Sequence, residues 1–334
     1  MELFWAIVIF IFGILLIIKG GDWFVDSATW IARAAKIPAF IIGATIVSFA
    51  TTLPELLVSI MASIQNKNEM AIGNAVGSVN ANMGLIMAIA FTFMSLITPR
   101  KNYWQQCFLL IASTIILWLG CLGGTLSLWA SIILLLIYLT FIAINVIQGR
   151  RASAQEKIPV AENQPVTEIN PTPNADTSIV INQKVIWKNI ILFFIGAACV
   201  IVGSNFLIDG GSTIAASLKI PERLVAITLV AVGTSLPELV TTITAIRKKE
   251  GSLSAGNIIG ANIIDLTLIL PICSFVAHDS FTVSQKCLMI DFPFCLAFSL
   301  IAVIPMLCKQ RTYKWQGILM LLGYVAYLTV SVIL

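Results

Sequence analysis

Ala226-Ile-Thr-Leu-Val-Ala-Val-Gly-Thr-Ser-Leu-Pro-Glu238, continued at Ala255-Gly-Asn-Ile-Ile-Gly-Ala-Asn-Ile-Ile-Asp265, restates an earlier stretch of the same chain. That earlier stretch is Gly43-Ala-Thr-Ile-Val-Ser-Phe-Ala-Thr-Thr-Leu-Pro-Glu55, continued at Ala71-Ile-Gly-Asn-Ala-Val-Gly-Ser-Val-Asn-Ala-Asn82. One offset of 183 residues relates Glu238 to Glu55, Asn257 to Asn74, Asp265 to Asn82 and, upstream, Lys219-Ile-Pro221 to Lys36-Ile-Pro38 and Asp209 to Asp26. A gapless repeat of this length means that the chain is built from two copies of one unit. Each copy sets a carboxylate directly after a proline in an otherwise apolar segment. Acids inside a membrane are costly and mark ion pathways, so two in matching places predict one ion site built by two halves.

The flanking composition supplies the membrane. Of 334 residues, 58% are hydrophobic and only 11% charged, with a mean hydropathy of +0.96; a soluble domain carries about 25% charged residues. Apolar runs long enough to span a bilayer as helices recur at roughly 3–30, 39–65, 70–96, 104–120, 125–147, 186–216, 223–246, 252–276, 287–308 and 313–334. The predicted fold class is therefore an all-α integral membrane protein with about ten transmembrane helices. The first run is read as a helix and not as a cleaved leader, because Gly20-Gly-Asp-Trp-Phe-Val-Asp26 matches Gly203-Ser-Asn-Phe-Leu-Ile-Asp209 in the second copy.

Five runs precede the polar stretch 149–185 and five follow it, which predicts three parts. Residues 1–148 form a five-helix repeat with its motif at 43–82, residues 149–185 a mostly disordered linker, and residues 186–334 a second repeat with its motif at 226–265. An odd number of helices per half makes the second copy enter the membrane from the opposite side, so the halves are predicted to be inverted repeats, an architecture in which one site opens alternately to either face. With the amino terminus outside, the cytoplasmic turns collect Arg33, Lys36, Arg100, Lys101, Arg150, Arg151, Lys157, Lys184, Lys188, Arg247, Lys248, Lys249, Lys309, Arg311 and Lys314. The external turns hold only Lys67, Lys219, Arg223 and Lys286. By the positive-inside rule both termini are predicted to face outward from a plasma (inner) membrane, with the linker cytoplasmic. The net charge of +4 then reflects topology and contact with membrane lipid, not nucleic acid. The seven cysteines form no CxxC pair and read as small packing residues, and His278 is the only histidine. Zinc and histidine chemistry have little to work with.

Pro54 and Pro237 each remove a backbone donor and crowd the carbonyl four residues back, at Ala50 and Gly233. Broken helix of this kind is tolerated at membrane depth where it lines a cavity. Thr51 and Thr52, or Thr234 and Ser235, precede the glutamate by one turn. Hydroxyl, carbonyl and carboxylate oxygens thus converge, the ligand set of hard cations such as sodium and calcium. The next helix of each copy adds a polar face: Asn74, Ser78 and Asn82 in one, Asn257, Ala261 and Asp265 in the other. Asp265 needs a cation or a proton as companion, since its own and matching helices carry no basic residue. Asp22, Asp26 and Asp209 fall near segment ends and are read as interfacial. Gly43, Ala44, Ser59, Ala62, Gly73, Gly77, Gly84, Gly233, Gly256 and Gly260 are read as close-packing positions between membrane helices.

Gly43–Glu55 with Gly73–Asn82, and Ala226–Glu238 with Gly256–Asp265, resemble the paired alpha-repeats of the calcium/cation antiporter superfamily, above all the prokaryotic sodium/calcium exchangers. The resemblance covers both halves, and the Gly-Thr-Ser-Leu-Pro-Glu core at 233–238 is its most specific part. It implies that Glu55 and Glu238 hold calcium with Thr51 and Thr234. It further implies that Thr52, Ser235 and Ser78 help hold sodium, with backbone oxygens near Ser48 and Ala231, and that Asn82 and Asp265 complete the central site. Ala261 stands where the family pattern has a serine opposite Ser78, Thr52 where serine is usual, and Val79-Asn80 where asparagine comes first.

Glu55, Glu238 and Asp265 place up to three negative charges in one low-dielectric cavity, where repulsion forbids full ionisation without cations. One calcium ion or several sodium ions neutralise them through the same oxygens, so occupancy is exclusive and the expected function is sodium/calcium antiport by alternating access. The partners are then the transported ions calcium and sodium; no cofactor and no enzymatic activity are expected. The alternatives are proton/calcium or potassium-coupled exchange at the same site. An intramembrane aspartyl protease fits poorly, because Asp26 and Asp209 lack a Gly-x-Gly-Asp setting. A non-transporting scaffold leaves the paired acids unexplained.

Overall fold

A computed structural model describes residues 2–34, 41, 43–64, 66–94, 96, 100–155, 183–217, 226–248, 250–277 and 280–333. The helices run in the predicted order: α1 Glu2–Ala34, α2 Ser48–Thr51, α3 Leu53–Ile64, α4 Asn68–Ala81, α5 Ala88–Phe93, α6 Arg100–Cys121, α7 Leu128–Gln155, α8 Gln183–Ser217, α9 Ala231–Thr234, α10 Leu236–Arg247, α11 Gly251–Ile264, α12 Leu270–Val276, α13 Phe292–Lys309 and α14 Lys314–Ile333. Five π-helical turns adjoin them, at Gly43–Val47, Asn82–Met87, Ala226–Val230, Asp265–Ile269 and Cys287–Asp291. Among the described residues there is no strand, only an isolated antiparallel bridge between Thr125 and Thr282.

Among the described residues, eight helical segments are long and apolar enough to cross a membrane, and nine if the bent pair Gly43–Thr51 and Leu53–Ile64 counts as one span. The matching segment of the second half is helical too, but in the shorter pieces Ala226–Val230, Ala231–Thr234 and Leu236–Arg247. Helices α7 and α8 run into the predicted linker as far as Gln155 and from Gln183. The rest of that linker, Lys36–Pro38, Lys219–Pro221 and His278 lie outside the described residues, as does the side chain of Asp209.

Burial separates the centre from the periphery. The spans Asn68–Phe93 and Gly251–Val276 each have 78% of their apolar window buried, against 24% for Phe4–Ala28 and 12% for Gln183–Gly203. The two central rods are also the ones that carry the polar residues, whereas Phe12, Leu15, Leu136, Leu139, Phe194, Leu322 and Val325 sit exposed on the outside. Polar inside and apolar outside is the arrangement a lipid solvent selects. Helices α1 and α8 lie along each other at one side, and Phe24, Ala28 and Phe193 pack there with Val47 and Leu253 of the centre. Asp26 is exposed, as expected of an interfacial acid, and pairs with Lys248; Asp22 accepts a 3.5 Å bond from Thr244.

The halves are interlocked, not side by side. Helix α11 packs on the turn Gly43–Val47, and α4 packs on the turn Ala226–Val230. A Cβ on Gly260 would meet Ala44 and Ser48, and one on Gly77 would meet Ile227 and Ala231. Those two contact sets are related by the repeat offset. The packing role read for these glycines is what places each broken helix against the other half.

Candidate ion-binding site

Both proline-glutamate motifs form the same break. Thr52 closes α2 at φ −85°, ψ −2°, and Ser235 closes α9 at φ −82°, ψ 4°; a new helix then starts at Leu53 or Leu236. Pro54 and Pro237 fall at the second position of that new helix, where a missing N–H leaves nothing unsatisfied, so the proline begins a helix and does not kink one from within. In the first copy the two pieces meet at 47°. The carbonyls of Ser48 and Ala231 become the hubs of the two breaks. Ser48 O accepts from Thr52 N at 2.9 Å, Thr52 Oγ1 at 2.6 Å and Thr51 Oγ1 at 3.3 Å. Ala231 O accepts from Ser235 N at 3.0 Å, Thr234 Oγ1 at 3.2 Å and Ser78 Oγ at 3.4 Å.

Across the break the two copies hold each other. The Thr51 hydroxyl donates to Asn257 Oδ1 at 3.3 Å, and the Thr234 hydroxyl donates to Asn74 Oδ1 at 3.2 Å. Asn74 in turn donates its amide to Ser59 Oγ at 2.9 Å and to the Glu55 carbonyl at 3.2 Å, while Asn257 donates to Thr241 Oγ1 at 3.0 Å. Ser235 Oγ donates to Glu55 Oε1 at 3.3 Å, and Ser78 Oγ lies 3.4 Å from Thr234 Oγ1. Ala261, at the place of Ser78 in the other copy, offers no hydroxyl to Thr51 or the Ser48 carbonyl.

All nine residues singled out from the sequence (Thr51, Thr52, Glu55, Ser78, Asn82, Thr234, Ser235, Glu238 and Asp265) are buried, none more than 1% exposed. Glu55, Glu238 and Asp265 are electrostatic neighbours. Thr51 and Thr52 stand close to the Glu238 carboxylate without reaching hydrogen-bond geometry. Among the described residues, Glu55 Oε2, both oxygens of Glu238 and both of Asp265 have no donor. A buried, unpaired carboxylate oxygen is strongly unfavourable. Five of them around one centre call for bound cations or protons there.

No group of three or more His, Cys, Asp or Glu side chains among the described residues is arranged to hold a metal. The oxygens beside the carboxylates belong to hydroxyl, amide and backbone groups, donor types that hard cations such as sodium and calcium accept. Four of the five π turns border this centre, two before the breaks and two beginning at Asn82 and Asp265. Such turns loosen the helix ladder and recur at functional sites.

Three partners fall outside the nine expected site residues. Asn74 and Asn257, expected on polar faces, are the cross-braces of the two threonines. The third is Asn262: Asn82 Nδ2 donates to its Oδ1 at 2.9 Å, and Asn82 Oδ1 has no donor among the described residues. The signal lay in Gly260-Ala261-Asn262, where the first copy has Val79.

Comparison with known proteins agrees with this geometry. A family model described as sodium/calcium exchanger protein matches residues 5–147 and 188–333. The sodium/calcium exchanger MaX1 of Methanosarcina acetivorans is 29% identical over 96% of this chain and 97% of its own length. An uncharacterised membrane protein of Methanocaldococcus jannaschii, MJ0091, is 30% identical over 95% of this chain and 94% of its own. Among solved structures, the sodium-calcium exchanger NCX_Mj, soaked with Na+ and Sr2+, superposes with a TM-score of 0.78 at 27% identity, covering 97% of each chain.

Proposed function

The chain belongs to the sodium/calcium exchanger protein family, whose members are multi-pass membrane cation antiporters and not enzymes, and we propose that it exchanges sodium for calcium by alternating access. The observation that carries this is the set of five donor-less carboxylate oxygens enclosed by hydroxyl and carbonyl oxygens from both halves. Calcium is held by Glu55 and Glu238 with Thr51 and Thr234. Sodium takes Thr52, Ser235 and Ser78 with the carbonyls of Ser48 and Ala231, and Asn82 and Asp265 complete the centre. About three sodium ions per calcium is the ratio that the family resemblance implies; three sodium ions match three ionised acids, and one calcium ion matches two with Asp265 protonated. The same oxygens serve both cargoes, so one displaces the other. No cofactor takes part.

The architecture assigned to this function is ten spans in two inverted five-helix repeats, 1–148 and 186–334, joined by a cytoplasmic linker at 149–185. Both termini face outward from the plasma (inner) membrane. Peripheral α1 and α8 move against the interlocked centre to open the site to one face at a time. Proton coupling is the second reading, and Ala261 favours it, since one peripheral hydroxyl of the sodium shell is missing. Calcium-45 uptake into proteoliposomes decides between them. Uptake driven by an outward sodium gradient supports sodium coupling. Uptake that follows an imposed pH gradient and ignores sodium moves the coupling to protons, and uptake in vesicles loaded with potassium alone moves it to potassium.

A further inference from the structure

A fourth acid lies buried in this interior, outside the ion cavity. Asp291 ends the π turn Cys287–Asp291 that leads into α13 and is 2% exposed. Tyr327 of α14 donates its phenolic O–H to Asp291 Oδ1 at 3.1 Å. Asn80 of α4 donates its amide to the Asp291 carbonyl at 3.1 Å and also approaches the Tyr327 oxygen. Both partners are fully buried. Asn80 is the asparagine displaced by one position from the family pattern, and the displacement turns it away from the ion cavity toward α13.

This acid is not a relic of the repeat. The other four π turns occur as two copies bordering the ion site, but the first half has regular helix, α6 Arg100–Cys121, where the second has Cys287–Asp291 leading into α13. Helix α6 carries no Asp or Glu at all. An acid added to one half only, at membrane depth and in a π turn, is a functional feature by the same reasoning that identified the first three.

Its surroundings select the ligand. A sodium or calcium ion needs a shell of oxygens, whereas the Asp291 carboxylate meets a phenol on α14 and lies near the Cys295 thiol of α13, with Asn80 of α4 holding its backbone carbonyl. A carboxyl group bonded to a phenol needs only a single proton, because the phenol oxygen can donate to the carboxylate or accept from the acid. We propose that Asp291, with Tyr327 and Asn80, is a proton-binding site. The carboxylate takes one proton from water to become the neutral acid and returns it on deprotonation. No other titratable or charged group faces it from α4, whose only acid, Glu69, is eleven residues before Asn80. On the ion-cavity side, Asp265 acts on the same Cys295 that Asp291 does, and Asn80 sits between Ser78 and Asn82 in the chain. The proton is therefore bound one helix away from the transported ions.

Infrared spectroscopy of the full chain in proteoliposomes, titrated from about pH 5 to about pH 9, tests the site without reference to the coupling ion. The expected result is a protonated-carboxyl C=O band present at low pH, absent from Asp291→Asn. In Tyr327→Phe the acid loses its phenolic hydrogen-bond partner, so the same C=O band should move in frequency. A wild-type spectrum with no Asp291-dependent acid band at any pH overturns the proposal. So does a Tyr327→Phe spectrum whose acid band is superimposable on wild type, a readout available even if Asp291→Asn fails to insert.

Discussion

Replacing Gly43 with alanine should pull the two halves apart at the ion site. A Cβ there would lie 2.4 Å from the Leu253 carbonyl oxygen and 3.0 Å from the Asn257 nitrogen, both backbone atoms that no rotamer change can move. Ordinary contact for a Cβ starts at 3.4 Å, so the turn Gly43–Val47 has to retreat from α11 by about 1 Å, at an overpacking cost of about 1–3 kcal/mol. The Thr51–Asn257 bond is already 3.3 Å long, and that retreat breaks it, removing about 1 kcal/mol. The ligand oxygens of one half also leave the narrow distance range that a calcium ion accepts. Together these predict at least about tenfold weaker calcium affinity, measured as the calcium concentration that half-saturates sodium-driven calcium-45 uptake. Gly123→Ala is the matched control, since a Cβ there meets nothing within 4 Å. Wild-type half-saturation in Gly43→Ala would refute the reasoning that close backbone approach positions the site.

Glu55→Gln and Glu238→Gln each remove one negative charge from the cavity, and calcium uptake in either should fall to the background of empty vesicles. Ala261→Ser restores the hydroxyl that Ser78 supplies in the other copy; half-activation by sodium should drop severalfold, and a rise or no change in sodium dependence would mean that this position faces no sodium. Asn262→Val copies Val79 and frees the Asn82 amide to rotate. It should weaken calcium half-saturation by about fivefold, and the effect should vanish in an Asn82→Ala background, with a coupling of about 1 kcal/mol in the double-mutant cycle.

The repeat made much of this legible before any coordinates. Pro54-Glu55 and Pro237-Glu238 announce their breaks because proline and acid are both out of place in an apolar run, and the hydroxyls beside them follow by helix geometry. The predicted runs start and stop within a few residues of the described helices, except 125–147, whose helix continues to Gln155. What the sequence conceals is pairing across helices. Nothing in the spacing says that Thr51 reaches Asn257 or that Asn82 reaches Asn262, because those contacts join residues 206 and 180 positions apart. Asp291 is hidden for a different reason: the acids of the ion site stand out because each has a polar counterpart in the other copy, and the corresponding helix α6 has no acid to answer Asp291.

The crossed threonine–asparagine bonds have a consequence for biosynthesis. A ribosome that has released residues 1–155 has inserted a half whose Thr51 and Glu55 still lack Asn257 and Ser235. Charged oxygens then wait in the bilayer for the rest of the chain, and α4 has no segment 226–230 to receive it. The crossed bonds that hold the two breaks together form only when translation has reached the second motif.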